Sequence, residues 1–242
     1  MRGLGTLINV AAIIAGGVSG ALFGKKLPER CRETMVIAAG ICTMFLGGAG
    51  ALARMLVIGE GTIETQGTMM MVVTYALGAA LGEWIDLDHQ FDRFGVWLRH
   101  KTNNDGDTGF VDAFVTASLT VCIGAMAIVG AIEDGIYGNY SILAAKAVLD
   151  LLIIMIMTAS MGKGCAFSAI PVGLLQGSVT VLAVIMRPIF TETALANLSL
   201  VGNIMIFCVG LNLVFGKKIR VANLLPTLIF AVIWSFIPGI NP

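Results

Sequence analysis

Apolar residues in this chain do not alternate with polar ones; they run in long blocks. Eight blocks come close to the roughly 17–25 residues that cross a bilayer as helix. They lie at approximately 4–24, 35–57, 68–85, 110–132, 142–161, 165–186, 197–215 and 222–237. Such a pattern predicts an all-α fold, a polytopic membrane helical bundle of eight transmembrane spans, because only helices satisfy the backbone along each block within lipid. Residues 1–242 read as one integral membrane domain. Leu4 to Phe23 is apolar, but Lys25 and Lys26 follow it and no A-x-A site precedes them. The block therefore reads as a retained first span, not a cleaved signal.

One polar segment, 86–109, interrupts the pattern. Within LDHQFDRFGVWLRH, Phe91, Phe94, Trp97 and Leu98 fall at helical spacing. That predicts a short amphipathic helix lying on the cytoplasmic surface. TNNDGDTG after it predicts a flexible turn. Both histidines, His89 and His100, are in this segment, so no intramembrane histidine remains for haem or zinc.

Composition sharpens the reading. Hydrophobic residues make up 57% and charged ones 12%, against about 25% charged in soluble domains. Mean hydropathy is +0.90. Net charge is zero, so no basic footprint invites nucleic acid. Thirty glycines sit mostly inside apolar blocks, where small residues let helices approach closely or let two copies of the chain form a homodimer. Cys31, Cys42, Cys122, Cys165 and Cys208 show no C-x-x-C spacing, which argues against a disulfide framework or zinc site. They read as small buried thiols.

Charge placement predicts orientation. With the N-terminus outside, the inner loops hold Lys25, Lys26, Arg30, Arg32, Arg93, Arg99, Lys101, Lys163, Lys217, Lys218 and Arg220, eleven of fifteen basic residues. The positive-inside rule then places both termini outside a bacterial inner membrane. Glu133 and Asp134 form an outer turn in this topology and read as solvated or as an acidic mouth.

A faint internal repeat is present. Gly17 and Pro28 recur as Gly177 and Pro188, and Gly40 and Gly48 as Gly202 and Gly210. Repeat one would cover 1–86, the central spans 110–161, and repeat two 165–238. An odd number of spans separates the copies, so they would be inverted, as in many secondary transporters. Span six, FSAIPVGLLQGSVTV, reads as interrupted at Pro171, Gly173 and Gly177. Gly/Pro-interrupted spans in matching halves point to a binding site, although a packing kink would look the same.

The candidate chemistry centres on Lys146 and Asp150, four residues apart on one helical face of span five. Each charge at membrane depth costs about 2.5–3.5 kcal/mol. The pair reads either as an ion or proton site with Lys146 as internal counter-ion, or as a static lock between helices. Asn9, Asn203 and Asn212 lie at membrane depth, where they would coordinate a cation or hydrogen-bond between helices. Ser168 and Gln176 add oxygens in span six. This oxygen-rich set suits a hard ion. Glu83 reads as an interfacial boundary and Asp112 as a helix cap. No nucleophile–histidine–acid set, P-loop or dinucleotide fingerprint occurs, and neither an enzyme nor a cofactor is expected.

LGTLINVAAIIAGGVSGALFGKKLPERCRET, ALGAALGEWID, ASLTVCIGAMAIVGAIEDG, AAKAVLD, FSAIPVGLLQGSVT and VGLNLVFGKKIRVANLLPTL span nearly the whole chain. In this order they resemble the bacterial membrane family of domain of unknown function 554. The resemblance implies a membrane protein. Its YqgA-like members are described as transport proteins, a label that is itself an inference from topology. Residues and resemblance together predict transport of a small solute, foremost a cation, by a carrier or channel with a site near span six and the Asp150 face. The alternative is a structural or regulatory membrane protein acting through helix association.

Overall fold

A computed structural model of the chain describes residues 2–24, 28–58, 62–101, 109–122, 125–186 and 191–237. Its helices are α1 (Leu4–Gly24), α2 (Glu29–Met55), α3 (Thr68–Ile85), α4 (Leu87–Lys101), α5 (Phe110–Cys122), α6 (Ala125–Tyr137), α7 (Ser141–Met161), α8 (Ala169–Met186), α9 (Glu192–Phe215) and α10 (Pro226–Trp234). Short 3-10 segments, Lys163–Ser168 and Val221–Leu224, lead into α8 and α10. The fold is a helical membrane bundle. The sequence pattern missed one small feature, an antiparallel hairpin of β1 (Leu56–Ile58) and β2 (Ile63–Thr65) after α2.

Among the described residues six helices are long and apolar enough to span a membrane, and a seventh span arises if α5 and α6 count as one. The axes of that pair are bent by 74°. The eighth predicted span, 222–237, is not among these spans. It is a 3-10 turn followed by nine α-helical residues, and the whole apolar helical stretch is Val221–Trp234. At about 1.5 Å per residue, that stretch falls short of a hydrocarbon core about 30 Å thick. Pro226 starts its α-helical part at a position where a missing N–H is harmless.

Alongside a large apolar core, the bundle buries several polar groups and turns many apolar side chains outward. On α1 the buried side carries Asn9, Ile13 and glycines, while Leu7, Ile14, Val18 and Leu22 face outward. On α7 Lys146 and Asp150 are buried, while Val148, Leu149 and Leu152 are exposed. Outward apolar stripes suit lipid as the solvent, and inward charges avoid it.

Glycine sets the spacing of the main helix pairs. Helix α1 packs on α7, α2 on α9, and α3 on α10. A Cβ at Gly16 or Gly20 would strike the backbone carbonyl of Leu151 or Met155 on α7. One at Gly47 would sit 2.6 Å from the Asn203 carbonyl on α9, and one at Gly78 would strike Thr227 of α10. Close backbone approach buries more van der Waals contact per helix, the main driving force for association in lipid.

Helix α4 is placed by its first turn and by one loop. Asp86, at φ 54, forms a left-handed C-cap on α3 and turns the chain directly into α4. The Asp88 N–H donates to Asn223 Oδ1 at 2.6 Å, satisfying a helix-end donor. Lys217 Nζ lies 3.0 Å from Asp88 Oδ2 and 3.7 Å from Asp92 Oδ1. Phe94 stacks on Trp97 with centroids 5.6 Å apart and meets Phe114 of α5 at 5.8 Å. The predicted amphipathic helix is therefore docked against the bundle, with Leu98 buried. The side chain of Phe91 and the turn at 102–108 lie outside the described residues.

Two predictions follow from this packing. Gly16→Ala should destabilise the protein by about 1–3 kcal/mol through overpacking. Gly177→Ala, whose Cβ would meet nothing within 4 Å, should be neutral. Thermal unfolding of both in detergent tests the contrast. The second concerns Lys217. Burial opposes its charge, but the Asp88 hydrogen bond and charge, then Asp92 and Asp112, outweigh burial and raise its pKa above 10.5. Its stabilisation is then fully present below 10.5 and lost only as pH climbs through the higher folded value. Lys217→Met should speed amide exchange in α4 at neutral pH, whereas wild type should do so only under strong alkali.

Candidate functional site

The site begins on α7. Lys146 and Asp150 lie four residues apart, so one helical turn stacks them. Lys146 Nζ donates to Asp150 Oδ1 at 2.8 Å and Oδ2 at 2.6 Å, and to the Val121 carbonyl at 2.8 Å. An ammonium has three hydrogens, so its donors are all used. Val121 lies in the last turn of α5, where carbonyls lack helical partners and carry the negative end of the helix dipole. The bend between α5 and α6 exposes this carbonyl to Lys146. The ammonium thus sits among three oxygens, a ligand type that also suits a hard cation.

Helices α1 and α8 complete the polar shell. Asn9 lies beside Asp150 and donates from Nδ2 to Gln176 Oε1 at 3.3 Å. Thr6 and Thr180 pair at 3.4 Å, one turn away on each helix. Asn9 Oδ1 and Gln176 Nε2 are buried without a protein partner. One acceptor and one donor therefore remain for a small polar ligand or water.

A cavity of about 250 Å³ opens beside the pair. Its polar lining includes Thr43, Thr120, Lys146, Asp150, Ser199 and Asn203. Asn203 Nδ2 donates to Ser199 Oγ at 3.3 Å. Arg54, near the end of α2, reaches the same cavity and donates from Nε to Ser199 Oγ at 3.3 Å. A larger cavity, about 630 Å³, is lined mainly by apolar side chains such as Leu119, Leu174 and Leu228 and includes neither Lys146 nor Asp150. Its lining suits an acyl chain better than an ion. Among the described residues no cluster of three or more His, Cys, Asp or Glu side chains could hold a metal ion.

Asp150, Lys146, Asn9 and Gln176 are joined by contact, and Asn203 shares the cavity. Two predicted residues stay apart. Ser168 is buried without a partner at the start of α8, about two turns from Gln176. Asn212 folds a loop: its Oδ1 accepts from Lys218 N at 3.0 Å and Ile219 N at 2.9 Å, and its Nδ2 donates to the Ile219 carbonyl at 2.7 Å.

The predicted interruption of span six is also corrected. Helix α8 runs through Pro171, Gly173 and Gly177 unbroken. Pro171 stands in the first turn, where its missing N–H costs nothing. Span four is the sharply bent one. Asp134 is no solvated turn residue; it is fully buried, and its Oδ2 accepts from Gly5 N at 2.9 Å at the start of α1. Glu133 accepts from Asn139 at 2.9 Å. Sequence reasoning missed Val121, whose side chain carries no chemistry, and Arg54, which is not among the basic residues assigned to the inner loops. Gly124 between the two half-helices was the available signal for the first.

The pair gives a direct energetic prediction. Lys146→Met or Asp150→Leu alone should cost about 3–5 kcal/mol, because each leaves a buried charge unpaired. The double variant should be more stable than either single one. Additive losses in a double-mutant cycle would show that the two charges are not coupled.

Comparison with known proteins places this geometry in an uncharacterised group. The family described as "Protein of unknown function (DUF554)" matches residues 4–236. The uncharacterized membrane protein YdfK of Bacillus subtilis (strain 168) is 27% identical over 233 residues, covering 96% of each chain. The uncharacterized protein YqgA of Escherichia coli (strain K12) is 29% identical over 233 residues, covering 95% of this chain and 94% of its own. No solved structure matches the chain.

Proposed function

The chain belongs to the DUF554 family, whose function is unassigned, and we propose that it is a membrane carrier with its ion site at the Lys146–Asp150 pair. One observation carries the reading. The buried Lys146 ammonium is held by the Asp150 carboxylate and by the Val121 carbonyl at a half-helix end. Half-helix ends and carboxylates are the groups transporters use to bind coupling cations at depth. A small cation entering the 250 Å³ cavity would compete with the ammonium for the same oxygens. Occupancy would then swing the Lys146 chain and loosen α7 from α5, giving binding a conformational consequence.

The helix pairing supports inverted repeats. Helix α2 meets α9 and α3 meets α10, as equivalent members of copies 1–86 and 165–238 would across a pseudo-twofold axis. Helix α4 binds the loop at 217–223, which fits a shared cytoplasmic side in an inner-membrane topology with the N-terminus outside. Neither catalysis nor a cofactor belongs to this reading.

A second reading keeps the pair static. All three ammonium hydrogens are already satisfied, as a lock between α5 and α7 requires. The protein would then act structurally or as a regulator through helix association, including with a second copy. Flux in proteoliposomes separates the two. Sodium, potassium, proton and chloride movement should include a selective cation flux in wild type, and Asp150→Asn should abolish it while eluting as folded protein. Unaltered flux in that variant would remove Asp150 from the site. Absence of flux with cation-independent thermal stability would favour the static lock.

A further inference from the structure

We propose that the cavity beside the ion pair binds a small carboxylate anion on Arg54, so that the cation carried at Asp150 moves together with an anionic cosubstrate. The anion site stands on its own geometry; its role as a cosubstrate rests on the carrier reading.

Charge balance is the first argument. Lys146 and Asp150 cancel within hydrogen-bonding distance. Arg54 is the remaining charge on this cavity, and the rest of the polar lining, Thr43, Thr120, Ser199 and Asn203, is neutral. The cavity is therefore net positive. An anion would be drawn to it and would offset that excess charge for a cation entering at Asp150.

The second argument is donor capacity. A guanidinium has five N–H donors. Among the described residues only Nε of Arg54 has a protein partner, Ser199 Oγ at 3.3 Å, and no carboxylate pairs with it. The Nη fork is left for a ligand, and a planar carboxylate matches it with two parallel hydrogen bonds. Deeper in the cavity, Ser199, Thr120 and Asn203 offer neutral polar groups to the rest of the molecule.

Access is the third argument. Arg54 also lines a second cavity of about 390 Å³, with Gln66, Glu192 and Asn197. It thus stands at the junction between that outer chamber and the inner one. Gln66 Nε2 donates to the Arg54 carbonyl at 3.1 Å and holds the end of α2 against the chamber wall. Glu192 faces only the outer chamber, so the inner cavity keeps its positive balance. The inner volume lies below the roughly 300–1,000 Å³ of drug-sized sites, which restricts the ligand to a few heavy atoms, in the range of acetate and pyruvate.

The test is binding by the full-length protein in phosphatidylcholine nanodiscs, measured calorimetrically with sodium acetate and sodium pyruvate against sodium chloride at equal ionic strength. Saturable binding of at least one carboxylate is expected. Arg54→Gln should weaken it about tenfold or more, as expected for a lost charge-assisted contact. Arg54→Lys should fall between, since a point charge lacks the fork. Arg2→Gln, an exposed charge at the same end of the bundle, should match wild type. Equal binding by wild type and Arg54→Gln, or no saturable carboxylate binding, would overturn the proposal. So would an Arg54-dependent effect seen only with phosphatidylglycerol in the disc, which would assign the guanidinium to a lipid phosphate. Flux assays keep the two readings distinct. Carboxylate binding without cation flux would retain the anion site and sink the carrier. Cation flux indifferent to carboxylate and to Arg54 would retain the carrier and sink the cosubstrate role.

Discussion

A lysine ammonium inside a bilayer must find an acceptor for each of its three hydrogens, and much of the bundle is arranged around that demand. Asp150 supplies two oxygens from the next turn of the same helix, and the broken end of α5 supplies the third. An unbroken span four would have spent the Val121 carbonyl on its own ladder. The bend between α5 and α6 and the charge on α7 are thus complementary. Removing the bend would leave the ammonium short of a partner, and removing the ammonium would leave a helix end unsatisfied in lipid.

The close helix spacing that makes this arrangement compact depends on missing side chains. Gly16 and Gly20 let α1 lie directly against the α7 backbone, which brings Asn9 within reach of Asp150 and Gln176. Gly47 and Gly50 do the same for α2 and α9, where a Cβ on Gly50 would meet the Asn203 amide at 2.5 Å. The polar residues of the site come from six helices, α1, α2, α5, α7, α8 and α9. Close packing converts a scattered set of Asn, Gln, Thr and Lys residues into one connected shell.

Helix ends are handled in the same way at both ends of the bundle. Asp134 accepts from the start of α1, where a carboxylate complements the positive dipole end. Asn223 receives the first-turn N–H of α4, and Asn212 folds the loop that carries Lys217. Such contacts join segments far apart in the chain and fix the ends between which the outward apolar stripes run.

The sequence by itself determined that this is a helical membrane protein, where its longest apolar helices lie, and that Lys146 and Asp150 share a face. These follow from local length, hydropathy and the 3.6-residue period. Predicted span 68–85 coincides with α3, and 142–161 differs from α7 by one residue. Only the tertiary structure decided which span is bent, because Pro171 in a first turn is harmless while the bend between α5 and α6 is marked in the sequence by one glycine among thirty. It also decided that Asn212 serves a loop, that Asp134 is buried, and that Arg54 shares a cavity with the pair. A polar residue's role depends on which distant helix it meets, and that meeting is set by packing between helices, which periodicity along one helix does not encode.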